Sequence, residues 1–296
     1  MTVFVLGNFD GVHRGHQALV AMAKQRAEAA GLPLIALTFE PHPRRFFAPE
    51  LPPFRLTLPA QKQALLRAAG VGDVRVLDFD ARLAAVGAED FVRRILVEEC
   101  GARIILAGED FRFGHDRAGD MARMAEWARG DGVEIVAVAP IRDAQGQRYA
   151  ASTVRALLQS GQAQAAAEIL GRPFTMHGVV AHGDKRGRQF GFPTANIDLG
   201  DYLRPQYGVY AVRARRAGDA GWLDGVANIG RRPTLDGARE WLEAHLFDFS
   251  AEIYGELWEI ALADFIRPEM KFTDTDQLKA AIERDIGQAR GYWGKR

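Results

Sequence analysis

Val3-Phe4-Val5-Leu6-Gly7-Asn8-Phe9-Asp10-Gly11-Val12-His13-Arg14-Gly15-His16 joins a short apolar run to a helical pattern through a glycine-rich turn. Val3 to Leu6 predicts a strand. Gln17 to Ala30 predicts a helix, with Leu19, Val20, Ala23, Ala27 and Ala30 at helical spacing and Gly31 as its stop. The same rhythm continues downstream. Leu34–Phe39, Val74–Phe79, Arg103–Ala107 and Glu134–Ala139 read as strands. Between them, Pro59–Ala69, Ala88–Cys100 and a segment capped by Asp120 and ending near Gly130 read as helices. Five strands with helical crossovers predict a Rossmann-like half built on a parallel sheet.

The pattern changes after residue 171. Ser152–Ser160 and Gln162–Leu170 read as two short helices split by Gly161 and closed by Gly171-Arg172-Pro173, which places the division between domains at 1–171 and 172–296. Beyond it, strands follow one another without helical crossovers: Phe174–Ala181, Gly208–Arg216, Trp222–Ile229, Glu240–Phe249 and Leu257–Ala263. That order favours an antiparallel barrel or sandwich. The tail Asp274–Ala289 is amphipathic, with Leu278, Ile282 and Ile286 on one face for packing against the barrel. The expected class is therefore α/β plus β.

Bulk properties narrow the chemistry. A chain of 296 residues exceeds the usual single core, and 48% hydrophobic with 26% charged residues is an ordinary globular composition. Lys plus Arg and Asp plus Glu both total 38, so no global basic field supports nucleic-acid binding and any anion site must be local. Cys100, the single cysteine, can form neither an internal disulfide nor a multi-cysteine zinc site, and reads as a buried packing residue. The apolar run before Asp10 is too short for a signal-peptide core, and no later run approaches the roughly 20 residues of a membrane span. The expected location is cytoplasmic, with no membrane partner; a homo-oligomer stays open.

His13-Arg14-Gly15-His16 falls where the first strand ends and the first helix begins. A helix start presents unpaired N–H groups and a partial positive charge, a natural place for a polyphosphate. Two imidazoles there can donate to phosphate oxygens, Gly15 removes a side chain between them, and Gly7 and Gly11 admit a nucleotide close to the backbone. The chemistry that suits this arrangement is in-line attack on an α-phosphate with loss of pyrophosphate.

The ten residues Gly7 to His16, with Phe9 and Asp10 in place, resemble the first motif of bacterial bifunctional riboflavin kinase/FAD synthetases. The resemblance continues in Thr38-Phe39-Glu40-Pro41-His42-Pro43, in Gly108-Glu109-Asp110-Phe111-Arg112-Phe113-Gly114 and in Ser152-Thr153-Val154-Arg155. It implies that His13 and His16 contact ATP phosphates from a loop that includes Gly7, Asn8, Phe9, Asp10 and Gly15. Ser152, Thr153 and Arg155 would close over the phosphates from the other side, and two hydroxyls at a helix start also suit a plain N-cap. Relatives usually carry a further serine before this pair, where this chain has Ala151. The resemblance also implies that Asp110 and Phe111 hold FMN and that Pro41 and His42 border the flavin. Phe111 and Phe113 equally suit packing, and His42 equally suits a rigid turn.

In the second half, the segment Gly183-Asp184-Lys185-Arg186-Gly187-Arg188-Gln189-Phe190-Gly191-Phe192-Pro193-Thr194-Ala195-Asn196, with glycines and interleaved basic residues, reads as a flexible, locally positive loop suited to phosphates, or as a solvated turn. It is not a P-loop. Pro193-Thr194-Ala195-Asn196, which closes it, resembles the hallmark of the riboflavin kinase module of the same family. Gly183, Lys185 and Gly187 of the loop suit ATP phosphates, and Thr194 and Asn196 supply hard oxygens for Mg²⁺, a role the resemblance also implies. Glu243 is the candidate base, on a strand with His245 on its own side and Leu242, Ala244 and Leu246 on the other; a solvent-facing strand gives the same pattern. Arg267 suits either the flavin or a surface salt bridge. The implied activity is riboflavin plus ATP to FMN and ADP, then FMN plus ATP to FAD and pyrophosphate, both with Mg²⁺. Kept beside it are a kinase with a regulatory first domain, a flavin-binding protein without turnover, and adenylyl transfer to another acceptor.

Overall fold

Apolar runs in the first half become strands buried on both faces, as parallel strands flanked by helices must be. The computed structural model describes residues 1–182, 192, 194–234 and 237–294. Strand β1 (Thr2–Leu6) holds Val3, Phe4, Val5 and Leu6 at no more than 1% exposure. It lies in a parallel sheet with β2 (Leu34–Glu40), β3 (Asp73–Asp78), β4 (Ala102–Gly108) and β5 (Glu134–Val138), in the order β3-β2-β1-β4-β5. The five strands expected from the sequence are all present. One face is covered by α1 (Arg14–Ala30), whose Leu19, Val20, Ala23 and Ala27 join Val3, Val5 and Leu106 in a core. On the other face, Phe4, Leu6, Leu37 and Ile105 pack with residues of the helices beyond Ala88 and Asp120.

Two helices differ from expectation. Helix α1 begins at Arg14 rather than Gln17, because His13 adopts an extended conformation and caps it. The helix expected over Ala88–Cys100 winds as a π-helix from Phe91 to Glu99, with Cys100 N donating to Ile95 O at 2.9 Å. Its buried residues, Phe91, Val92 and Leu96, follow the wider turn. Cys100 itself is half-buried at the edge of the core rather than buried, and burial raises its thiol pKa. Asp120 caps Met121–Ala128 by accepting from Arg123 N at 2.9 Å, as expected.

Backbone contacts divide the chain into two compact units: Met1–Pro52 with Thr57–Ala150, and Pro53–Leu56 with Ala151–Arg296. The helices Ala151–Gln159 and Ala163–Leu170, which the sequence reading attached to the first domain, group with the second unit, where the latter packs on β6 and β11. Six strands make the sheet of this unit: β6 (Phe174–Val179), β7 (Ala195–Asp198), β8 (Gly208–Arg216), β9 (Leu223–Thr234), β10 (Gly237–Leu246) and β11 (Leu257–Pro268). Their order is β6-β11-β8-β9-β10-β7, antiparallel throughout. The edges nearly meet, since Ala181, just past β6, bridges Asn196 on β7. A Cβ at Gly178 would stand 2.2 Å from Ile197 Cγ2, so glycine permits that closure. The result is a nearly closed barrel filled by Ile229, Leu242, Ala244, Ile260 and Leu262.

The sequence marks five of these strands and gives none over β7. It also ends β9 and β11 too early; β11 passes through register shifts at Leu262/Asp264 and Phe265/Arg267, which break the alternation that marks a strand. The C-terminal helix, Thr275–Trp293, extends beyond Ala289 and packs on β8 and β9. Its buried line is Ala281, Asp285 and Ala289, with Ile286 at the margin of the core. No helix among the described residues is long and apolar enough to cross a membrane.

Candidate functional site

In the first unit, the connections leave β1 and β4 toward opposite sides of the sheet, and these strands are neighbours. Ligands bind open α/β sheets at such a reversal, outside the carboxyl ends of the strands. Residues 7–16 leave β1 there and residues 109–114 leave β4. The first loop is tightly bent: Phe9 (φ 51°), Gly11 (φ 82°) and Val12 (φ 40°) are all left-handed. Phe9 and Val12 are buried, and the Phe9 ring fills the space beside Gly7. Asp10 accepts from Thr57 N at 3.1 Å, while Gly11 N donates to Thr57 Oγ1 at 3.0 Å. Phe9 and Asp10 thus shape the loop from beneath, and Asn8 is the exposed residue of the set.

His13 and His16 are brought together. His13 Nδ1 accepts from His16 N at 3.4 Å, and the two rings stack with centroids 3.7 Å apart. Gly15 makes room, because a Cβ there would lie 3.1 Å from the His13 ring. His16 Nδ1 is buried with no hydrogen-bond partner among the described residues. Burial, followed by the nearby charges of His13, Arg148 and Lys62, holds the His16 imidazole well below its ordinary pKa. At neutral pH the ring is therefore uncharged, able to donate one hydrogen bond at the start of α1.

Around this pair, Asp110 is exposed and meets Arg148 at 2.5 Å, and Phe111 stacks on the buried Phe113 at 5.8 Å. His42 is buried and caps α2 (Pro43–Phe47) by accepting from Arg44 N at 3.1 Å; Pro41 follows a cis peptide. Sequence reasoning missed Lys62, on α3 (Pro59–Ala68), whose side chain is 2% exposed and lies 2.7 Å from Glu40. The available signal was its place one helical turn before the core residue Leu66. In the second unit, Ser152 and Thr153 lie within the helix beginning at Ala151, and Arg155 Nε donates to Phe54 O at 2.8 Å.

The barrel gathers a second set. Glu243 on β10 pairs with Asn196 on β7 and with Asn228 on β9, so three polar residues line one row across adjacent strands. Leu242, Ala244 and Leu246 are buried on the opposite face, as expected. Asn196 is buried, and its Nδ2 donates to Thr194 O at 3.3 Å. His245 shares the Glu243 side, with its ring 5.6 Å from that of Phe192. Asn228 was not among the expected site residues; its signal was its place in Asn228-Ile229-Gly230 on a strand beside Glu243. Gly183, Lys185 and Gly187 lie outside the described residues.

The hydroxyl of Thr194 and the amide oxygen of Asn196 are hard donors of the kind Mg²⁺ accepts. Among the described residues there is no group of three or more His, Cys, Asp or Glu that could hold a metal ion. Arg267 is anchored instead to the C-terminal helix: Nε and Nη2 donate to the buried Asp285 at 2.8 and 2.7 Å. Its guanidinium also lies 5.8 Å from the Phe272 ring, which lines an open groove of about 700 Å³ with Met270, Lys271, Gln277 and Arg284.

Family models describe both units. The FAD synthetase model matches residues 1–153 and the riboflavin kinase model residues 170–293. The chain belongs to the bifunctional riboflavin kinase/FMN adenylyltransferase family. Proteins of that name from Escherichia coli K12 and Bacillus subtilis are 39% and 36% identical to it, each over 99% of this chain and 93% or 92% of the relative. A relative from Pseudomonas fluorescens is 40% identical over 97% of this chain and 92% of its own length. A solved structure from Streptococcus pneumoniae, named as a macrolide-efflux protein, superimposes with a TM-score of 0.86 at 32% identity, covering 98% of this chain and 93% of its own. Membership of the riboflavin kinase/FMN adenylyltransferase family accounts for both constellations: the imidazole pair falls within the FAD synthetase match, and Asn196 and Glu243 fall within the kinase match.

Proposed function

We propose that this chain makes FAD from riboflavin in two ATP-dependent steps, the barrel phosphorylating riboflavin to FMN and the Rossmann-like unit adenylylating FMN with release of pyrophosphate. The observation that carries the reading is the presence, on one chain, of both family modules with a polar constellation in each. The functional division is drawn at 1–171 and 172–296. In the first step Glu243 accepts the proton of the ribityl 5′-hydroxyl as it attacks the γ-phosphorus, and Thr194 and Asn196 hold Mg²⁺. Mg²⁺ would neutralise phosphate charge there. Gly183, Lys185 and Gly187 receive the ATP phosphates, and Arg267 approaches the flavin from the end of the barrel.

In the second step the FMN phosphate attacks the α-phosphorus of ATP. His13, His16 and the N–H groups of α1 receive the charge that develops, with Gly7, Asn8 and Gly15 bounding the nucleotide. Ser152, Thr153 and Arg155 complete the phosphate contacts, while Pro41, His42, Asp110 and Phe111 border the flavin. The setting is cytoplasmic, the partners being ATP, riboflavin and FMN. Incubation with riboflavin, ATP and Mg²⁺, with chromatographic separation of products over time, tests the proposal. FMN should rise first and FAD follow; a reaction that stops at FMN would leave only the kinase.

A further inference from the structure

The geometry points to Lys62 as a positioning residue of the adenylyl-transfer site, one buried ammonium that ties the loop after β1 to the loop after β2. Lys62 Nζ lies 3.4 Å from Asn8 O, 3.0 Å from Thr38 Oγ1 and 2.7 Å from Glu40 Oε1. Thr38 Oγ1 in turn donates to Asn8 O at 3.3 Å. Asn8 precedes the left-handed Phe9 and the two imidazoles, whereas Glu40 precedes Pro41 and His42. A single cation thus reaches the backbone of the phosphate loop and the carboxylate that begins the flavin-side loop.

Stability alone is a poor reason for this arrangement. A buried ion pair gains little over apolar side chains of similar volume, because desolvation offsets the attraction. Thr38 is fully buried and Lys62 nearly so, at the carboxyl edge of β2 where α3 could equally have packed leucine. The strained loop, however, keeps its form only if its surroundings over-determine it. Thr57 fixes Asp10 and Gly11, and Lys62 with Thr38 fixes Asn8, so the loop is gripped from outside itself on both sides of the left-handed Phe9. Lys62 is also among the charges that keep His16 neutral.

The inference rests on adenylyl transfer by the first unit, and its test separates the two. In the full chain, Lys62→Met should lower kcat for FMN adenylylation about 100-fold, the scale expected when reacting groups are misplaced by about 1 Å. KM for ATP should change far less, and riboflavin phosphorylation by the same preparation should match wild type. A folded Lys62→Met protein with unchanged adenylylation kcat overturns the inference. Thr38→Val, which removes the hydroxyl that accepts from Lys62 and donates to Asn8 O while keeping shape and charge, should lower the same kcat about tenfold. If Lys62→Met does not fold, an unchanged kcat in Thr38→Val overturns the inference alone. Wild-type protein that makes no FAD from FMN removes the adenylyl-transfer reading and Lys62's role with it.

Discussion

His16 and Glu243 each stand at the centre of one constellation, and their substitutions separate the two reactions. His16→Ala removes a donor aimed at developing phosphate charge, a loss on the order of 10²–10³ in kcat. Product analysis should show riboflavin converted to FMN and no further. Glu243→Ala should abolish FMN formation while FMN supplied directly still yields FAD; loss of both activities from either folded variant would contradict separate sites. A pH effect follows from the depressed His16 pKa. An unfolded imidazole titrates near about 6.5, so below that pH the unfolded chain binds a proton that the folded chain refuses. This group's contribution to stability is present above about pH 6.5 and is lost as the pH falls toward the folded-state pKa. Thermal midpoints recorded from about pH 7 down to about pH 5.5 should therefore fall less in His16→Gln than in wild type. An equal fall would contradict a neutral, buried His16.

Strand β11 and the C-terminal helix are joined by the Arg267–Asp285 pair, whose two side chains are 21% and 8% exposed. Asp285→Ala leaves a largely buried guanidinium without its carboxylate, which should destabilise the second unit by about 3 kcal/mol. Denaturant unfolding followed by the tryptophans should register the loss, and Arg267→Met with Asp285→Leu should recover much of it. Alternating apolar and polar residues made the Glu243 strand legible from sequence, and glycine and proline punctuation did the same for the parallel half. Strand β7 was not legible, since four residues after a glycine-rich basic stretch carry too little alternation to mark a strand. Its pairing with β10 is nonetheless what sets Asn196 against Glu243. Lys62 escaped for the opposite reason: a lysine on a short helix reads as solvated, and only three-dimensional contacts with Asn8, Thr38 and Glu40 reveal its burial.

At the scale of the whole molecule, the two compact units each carry a core and a polar constellation of their own. FMN made by one copy should then be usable by another. A mixture of His16→Ala and Glu243→Ala proteins, each unable to make FAD from riboflavin, should produce it together, at a rate that rises with the concentration of both. Failure of the mixture, with each variant active in its remaining step, would mean that FMN passes between sites without release. The most direct test of the account is a time course on the wild-type chain with riboflavin, ATP and Mg²⁺, resolving flavins and nucleotides. It should show FMN with ADP, then FAD with pyrophosphate. Formation of neither FMN nor FAD by folded protein would contradict it.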